Sequence, residues 1–148
     1  MVNSVDAADD LLAWAEGMYT TEAAVELLIR GFNGRFADVG YPWIQLNAKG
    51  GYWLDLEAIP ATVGVLSSGE RAYLLIAASI GLGGSDGDSV TVNLSDALPS
   101  LGRQQLDLVL AAVAHASGSH LDNDVIVDEN RVASFVRLSS LYPWPEQS

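Results

Sequence analysis

The sequence contains no cysteine, one lysine and two histidines among its 148 residues. Without cysteine the chain forms no disulfide and has no thiolate nucleophile, which is typical of a reducing cytoplasm. Its apolar runs, such as 74–78, are far shorter than the roughly 20 residues that cross a bilayer. The start, MVNSVDAADD, has neither a basic segment nor an apolar core and predicts no signal peptide. We therefore expect a soluble, cytoplasmic protein with no membrane partner.

Positive charge is also scarce. Seven basic residues stand against 19 acidic ones, which gives a net charge of −12 that is spread over both halves of the chain. Such a surface offers no basic footprint for a phosphate backbone, so the composition disfavours nucleic acid as a partner. The acidity is explained by solubility alone or by attraction to a basic protein partner. Self-association also stays open.

The length and the 49% hydrophobic content suit a single domain that buries its own core. Apolar residues at helical spacing from Leu11 to Met18 predict a first helix. Thr20 or Thr21 can cap a second helix, which Gly31 and Gly34 end, so the two helices are expected to form a hairpin. A longer helix is predicted from about Arg103, with Gly118 as its stop.

Strand signals are short and scattered along the chain. The segments WIQLN and YWLDLE are joined by NAKGG, a pattern typical of a β-hairpin. Alternation at 90–94 predicts a half-buried strand. A further strand is predicted at 124–127, whereas 131–141 fits either a strand or a helix. These patterns indicate a single α+β domain with an N-terminal helical hairpin, two further helices and a small, mainly antiparallel sheet.

The segment LSSGE at 66–70, followed by an apolar helix, resembles the signature segment of ABC-type ATPases, which reads Leu-Ser-Gly-Gly-Gln. The order of helix, strand and helix over 65–120 is similar as well. However, the G-x-x-x-x-G-K-[ST] loop that cradles phosphates is absent. The same letters also fit an S-x-x-E capping box between Ser67 and Glu70. We therefore expect a capped helix rather than an ATPase.

A second resemblance is to uncharacterised small bacterial proteins that carry a Leu-Ser-x-Gly-Glu-Arg helix. In those proteins a later helix is similar to LAAVAHASGSH at 110–120. That group has no established activity, so this likeness implies no substrate and no catalytic residue.

Two patterns are relevant to chemistry. In an extended chain His120, Asp122 and Asp124 would point to one face, and an imidazole with two carboxylates can bind Zn, Mn or Fe. His115, at the end of the long helix, could approach this group. GGSDG at 83–87 matches the G-x-S-x-G nucleophile elbow, but it follows a helix instead of a strand. No cofactor is predicted.

The chain repeats Tyr-Pro-Trp, at 41–43 and at 142–144. Proline stiffens the backbone beside these rings, so Tyr41, Trp43, Tyr142 and Trp144 are candidate interaction residues. Because no complete catalytic constellation is present, the leading hypothesis is a non-catalytic, acidic binding or regulatory module that acts through protein contacts. The alternative is a small metal-dependent enzyme that uses His120, Asp122 and Asp124.

Overall fold

The computed structural model describes residues 4–82 and 90–146. Within these ranges the helices are α1 (Ser4–Ala15), α2 (Tyr19–Arg30), α3 (Ala58–Thr62), α4 (Ser68–Gly81), α5 (Leu94–Ala97) and α6 (Arg103–Ala116). The strands are β1 (Ile44–Leu46), β2 (Tyr52–Leu54), β3 (Asn123–Val127) and β4 (Ala133–Arg137). Short 3-10 turns lie at Gly31–Ala37, Val63–Val65, Leu98–Ser100 and Ser119–Leu121.

Helix α2 is the centre of the fold. It packs extensively against α4 and α6, and against α1 in the N-terminal hairpin. Its buried face consists of Ala23, Ala24, Val25, Leu27 and Leu28. Small residues on this face allow the neighbouring helices to approach closely, and the leucines fill the space between them. None of the described helices combines the length and the apolarity that a bilayer crossing demands.

The strands form two separate antiparallel hairpins, β1–β2 and β3–β4, each with two strands. The α+β class predicted from the sequence is therefore confirmed, as are the N-terminal helical hairpin and the β1–β2 pair. Residues 133–137, which fitted a strand or a helix, are a strand. The β1–β2 hairpin packs beside α1, whereas β3–β4 extends from the helical body.

The strand predicted at 90–94 does not form. Residues 90–93 pair with no other strand in the part of the chain that the structure describes, and α5 begins at Leu94. Val90 and Val92 pack against the core while Thr91 and Asn93 are exposed, so the alternation reflects burial against helices instead of a sheet. The Asn93 side chain accepts a hydrogen bond from Ser95 N at 3.0 Å and starts the helix. The GGSDG segment at 83–87 lies outside the described residues.

The segment at 66–70 is a helix cap, as expected. The Ser67 hydroxyl accepts a hydrogen bond from the Glu70 amide at 3.2 Å, and the Ser67 amide donates to Glu70 Oε1 at 3.2 Å. Arg35 Nη1 donates to the other carboxylate oxygen of Glu70 at 2.7 Å. The N-terminus of α4 thus already holds a carboxylate from its own first turn.

We expect Ser67→Ala to lower the free energy of unfolding by about 1 kcal/mol, because it removes the cap.

The cap also makes the stability depend on pH. The Ser67 hydrogen bonds are the main cause of the lowered pKa of the half-buried Glu70 carboxyl. Because this pKa is lowered in the folded protein, the carboxylate's contribution is fully present above its ordinary value of 4.5 and is lost as the pH falls through the lowered value. Urea unfolding of Ser67→Ala and of the neighbouring exposed control Ser68→Ala, at pH 7 and in acid, measures both effects. Equal losses in the two variants would contradict the capping role.

Candidate functional site

Three potential metal-ligating side chains meet where α2, α6 and the turn after α6 come together. Glu22 lies in the first turn of α2, His115 in the last turn of α6 and His120 in the 3-10 turn Ser119–Leu121. Gly118 reverses the chain in the left-handed region, with φ at +81°, which favours glycine. One potential ligand atom from each of the three side chains lies within 4.8 Å of the others. We call these residues the Glu22–His115–His120 cluster.

The cluster is held by direct contacts. His115 Nε2 lies 2.9 Å from Glu22 Oε1, and the two groups are hydrogen-bonded. The backbone N–H of Gly17 donates to Glu22 Oε2 at 3.0 Å, which orients the carboxylate. The imidazole rings of His115 and His120 stack with centroids 4.1 Å apart and planes 6° from parallel. The carboxylate and one imidazole are therefore already paired, with the second imidazole against the first.

Aromatic side chains surround the two histidines. Tyr19 meets the His120 ring edge-on at 5.3 Å between centroids, and Trp144 lies 6.1 Å from the His115 ring. The Trp144 ring has a second contact, because the Arg30 guanidinium carbon lies over it, 4.9 Å from the ring centroid. All three cluster residues are half-buried. Nδ1 of His120 is buried and has no hydrogen-bond partner in the described part of the chain.

The surroundings lower the pKa of two cluster members, His120 and Glu22. Burial, followed by the nearby His115, lowers the pKa of His120 below its ordinary value. Burial acts to raise the pKa of Glu22, but the hydrogen bonds from Gly17 and His115 outweigh it and lower that pKa. At neutral pH the His120 imidazole is therefore neutral and the Glu22 carboxylate is ionised, the forms in which these side chains bind cations.

The structure groups His120 with Glu22 and His115, and neither Asp122 nor Asp124 completes a three-residue group with it among the described residues. The prediction assumed an extended chain from 120 onward. His120 instead belongs to a 3-10 turn, and the strand begins only at Asn123. Asp124 is exposed, and its Oδ1 accepts a hydrogen bond from the Val125 amide.

The predicted aromatic residues have different environments. Trp43 is completely buried, and its Nε1 donates to the Phe36 carbonyl at 2.8 Å. Tyr41 stacks on Trp43 at 4.7 Å between ring centroids. In the first Tyr-Pro-Trp segment Trp43 is thus part of the core, and the partly buried Tyr41 packs against it. In the second segment Tyr142 is exposed and donates its hydroxyl to Asp107, and Trp144 packs against the cluster.

The β3–β4 hairpin is an exposed apolar surface. All residues of both strands are exposed, and no helix makes an extensive contact with either strand. Phe135 is 79% exposed and Val127 is 60% exposed. The other large apolar side chains that the hairpin and its flanks expose are Val125, Ile126, Val132, Val136 and Leu138. Sequence reasoning missed this surface because the apolar run at 125–127 is typical of a buried strand.

A cleft of about 540 Å³ lies beside α6, with Arg30, Gln104, Asp107 and Glu146 among the residues that line it. Two of its charged groups are already engaged, since Arg30 pairs with Glu26 at 2.6 Å and Asp107 accepts the Tyr142 hydroxyl.

Comparison of the chain with protein-family models, with curated proteins and with solved structures finds no match. The functional argument therefore depends on the cluster and on the exposed hairpin.

Proposed function

We propose that the protein is a non-catalytic binding module that acts through protein contacts, with the β3–β4 hairpin as its docking surface. The observation that carries the proposal is a hairpin whose strands are exposed on both faces and at both edges. A two-stranded hairpin without a covering layer is marginally stable in water. A partner that binds the hairpin would therefore provide the apolar covering layer that the rest of the chain does not provide.

The strand register supports both faces as contact surfaces. Val125 lies opposite Phe135, and Val127 lies opposite Ala133. Residues opposite each other in an antiparallel pair share a face, so these four form one apolar patch. Ile126 opposite Ser134 belongs to the other face.

The edges of the hairpin are suited to strand addition. The ladder bonds Leu138 N to Asp122 O and Asp128 N to Val132 O show which pairs exchange hydrogen bonds. By alternation, the backbone groups of residues 133, 135 and 137 point away from β3. An extended segment can pair with this edge while its side chains contact the apolar patch.

Charge selects the chemistry of the partner. The hairpin and its turn carry four acidic residues against two basic ones, which are Asp122, Asp124, Asp128 and Glu129 against Arg131 and Arg137. The whole chain carries −12. A basic, extended protein segment is therefore attracted, whereas a second copy of this chain is repelled. The cysteine-free sequence is in keeping with a partner met in the reducing cytoplasm.

We expect an extended peptide of alternating valine and lysine to bind the protein and to shift backbone amide signals within 123–137 in heteronuclear NMR spectra. Phe135→Ser should weaken this binding roughly tenfold or more, because it removes a central aromatic contact. Val65→Ser is the matched control, since Val65 is 92% exposed on a different element. It should leave the affinity unchanged.

Three results would contradict the proposal. The first is that the peptide fails to bind, and the second is that the amide shifts it causes spread over the acidic surface outside the hairpin. The third is that Phe135→Ser and Val65→Ser have the same affinity for the peptide. Light scattering tests whether a second copy of the chain covers the hairpin instead. A dimer that Phe135→Ser dissociates would show that it does.

A further inference from the structure

The Glu22–His115–His120 cluster has the donor set and the spacing of a metal site, and this goes beyond the proposed docking function. We propose that Glu22, His115 and His120 together bind one divalent transition-metal ion, with Zn²⁺ as the preferred ion. The site takes its ligands from α2, from α6 and from the turn that leads into β3.

The observed distances between the potential ligand atoms are close to those in a zinc site, so binding requires short shifts of the side chains and the rotation of an imidazole ring. In a tetrahedral zinc site with bonds of about 2.0–2.1 Å, neighbouring ligand atoms lie roughly 3.3 Å apart. Glu22 Oε1 and His115 Nε2 are 2.9 Å apart, and one potential ligand atom from each of the three side chains lies within 4.8 Å of the others. Because the two imidazoles stack nearly parallel, at least one of them rotates to aim its lone pair at the ion.

The groups behind the ligands also suit a metal. The Gly17 amide holds one oxygen of Glu22 and leaves the other directed at His115, which is the way outer contacts orient a metal ligand. The Tyr19 ring contacts His120 and the Trp144 ring lies beside His115, so both rings would limit the access of water to a bound ion. The buried, unpaired Nδ1 of His120 is an uncommon feature in a folded protein, and coordination through this nitrogen would satisfy it.

The donor set selects the ion. Two imidazoles and one carboxylate suit Zn²⁺ and similar transition metals, whereas Mg²⁺ and Ca²⁺ prefer shells of oxygen. Three protein ligands leave a fourth position for water, as in zinc sites that keep an open position. The net charge of −12 raises the local concentration of cations around the chain.

The test uses the full chain freed of metal with a chelator, then titrated with Zn²⁺ by calorimetry and with Co²⁺ by visible absorption. We expect one ion per chain, a Co²⁺ spectrum typical of mixed nitrogen and oxygen ligands, and a rise in melting temperature because the ion binds only the folded site. Mg²⁺ should cause neither the heat nor the rise.

Variants identify the ligands. His115→Phe and His120→Phe keep an aromatic ring in the stack but remove a ligand, and Glu22→Gln keeps the shape of the side chain. Loss of an outer contact typically weakens metal binding 10–100-fold, so each of these ligand losses should weaken it by about 100-fold or more. Glu16→Gln removes an exposed carboxylate six positions before Glu22; it is the control and should not change the affinity.

Asp122→Asn and Asp124→Asn distinguish this site from the one predicted from sequence. Both should bind Zn²⁺ as tightly as the parent chain. If these two variants abolish binding while Glu22→Gln does not, the ion is held by His120 and the aspartates, and the proposal is wrong. Absence of binding, or a stoichiometry that none of the variants changes, overturns it as well. Peptide binding to the hairpin is measured separately, so either proposal can fail alone.

Discussion

Replacement of Trp43 by alanine is expected to lower the free energy of unfolding by about 3–5 kcal/mol, the usual cost of truncating a buried aromatic side chain. Trp43 is completely buried, and it contacts the rings of Phe36 and Tyr41. The variant leaves a cavity where the indole stood, and it also leaves the Phe36 carbonyl without the indole N–H. An unsatisfied buried acceptor adds to the cost of the cavity.

Chemical denaturation of Trp43→Ala, followed by circular dichroism, measures this loss. Phe135→Ala is the control, because Phe135 is also aromatic but is 79% exposed. It should change the free energy of unfolding by no more than about 0.5 kcal/mol. A small effect at Trp43 with a large effect at Phe135 would reverse the assignment of core and surface.

The second large effect is expected at Gly31, which follows α2. A Cβ atom added there would lie 2.4 Å from Tyr73 Oη and 2.6 Å from Tyr73 Cζ. Tyr73 is completely buried and donates its hydroxyl to the Leu27 carbonyl at 2.6 Å. Gly31→Ala therefore forces the tyrosine to move and strains or breaks that hydrogen bond. Overpacking of this kind costs about 1–3 kcal/mol, and the buried hydrogen bond adds about 1–3 kcal/mol when its partner is left unsatisfied.

Gly64→Ala is the matched control for Gly31→Ala. A Cβ at Gly64 would meet no atom within 4 Å, and its φ is not in the left-handed region. The control should therefore leave the melting temperature unchanged or raise it slightly, since alanine restricts the unfolded chain. If both variants melt like the parent chain, the close approach of Gly31 to Tyr73 does not constrain the fold.

The sequence was sufficient to predict those features whose physical cause lies within a few neighbouring residues. The Ser67–Glu70 box depends on two residues three positions apart, and the stop of α6 depends on Gly118. Both were predictable because helix ends satisfy their own backbone groups within one turn. Likewise, the turn residues between WIQLN and YWLDLE indicated the β1–β2 hairpin.

The cluster was only half predictable. The sequence indicated His120 and the approach of His115, which are five positions apart. Glu22 is 93 positions from His115, and its proximity arises from the packing of α2 against α6. Its first-turn position is fully explained by the helix dipole, so no pattern in the sequence marks it as a ligand. The sequence favoured Asp122 and Asp124 as further ligands because a 3-10 turn at 119–121 leaves no distinct sequence signal.

Because the β3–β4 hairpin makes few contacts with the described helices, we expect it to behave as a cooperative unit separate from the helical body. It can open without loss of the core, and the free energy of that opening is smaller than the free energy of global unfolding. His120 lies three residues before the strand begins, at the boundary between the two units. An ion held there would tie the more easily opened unit to the more stable one.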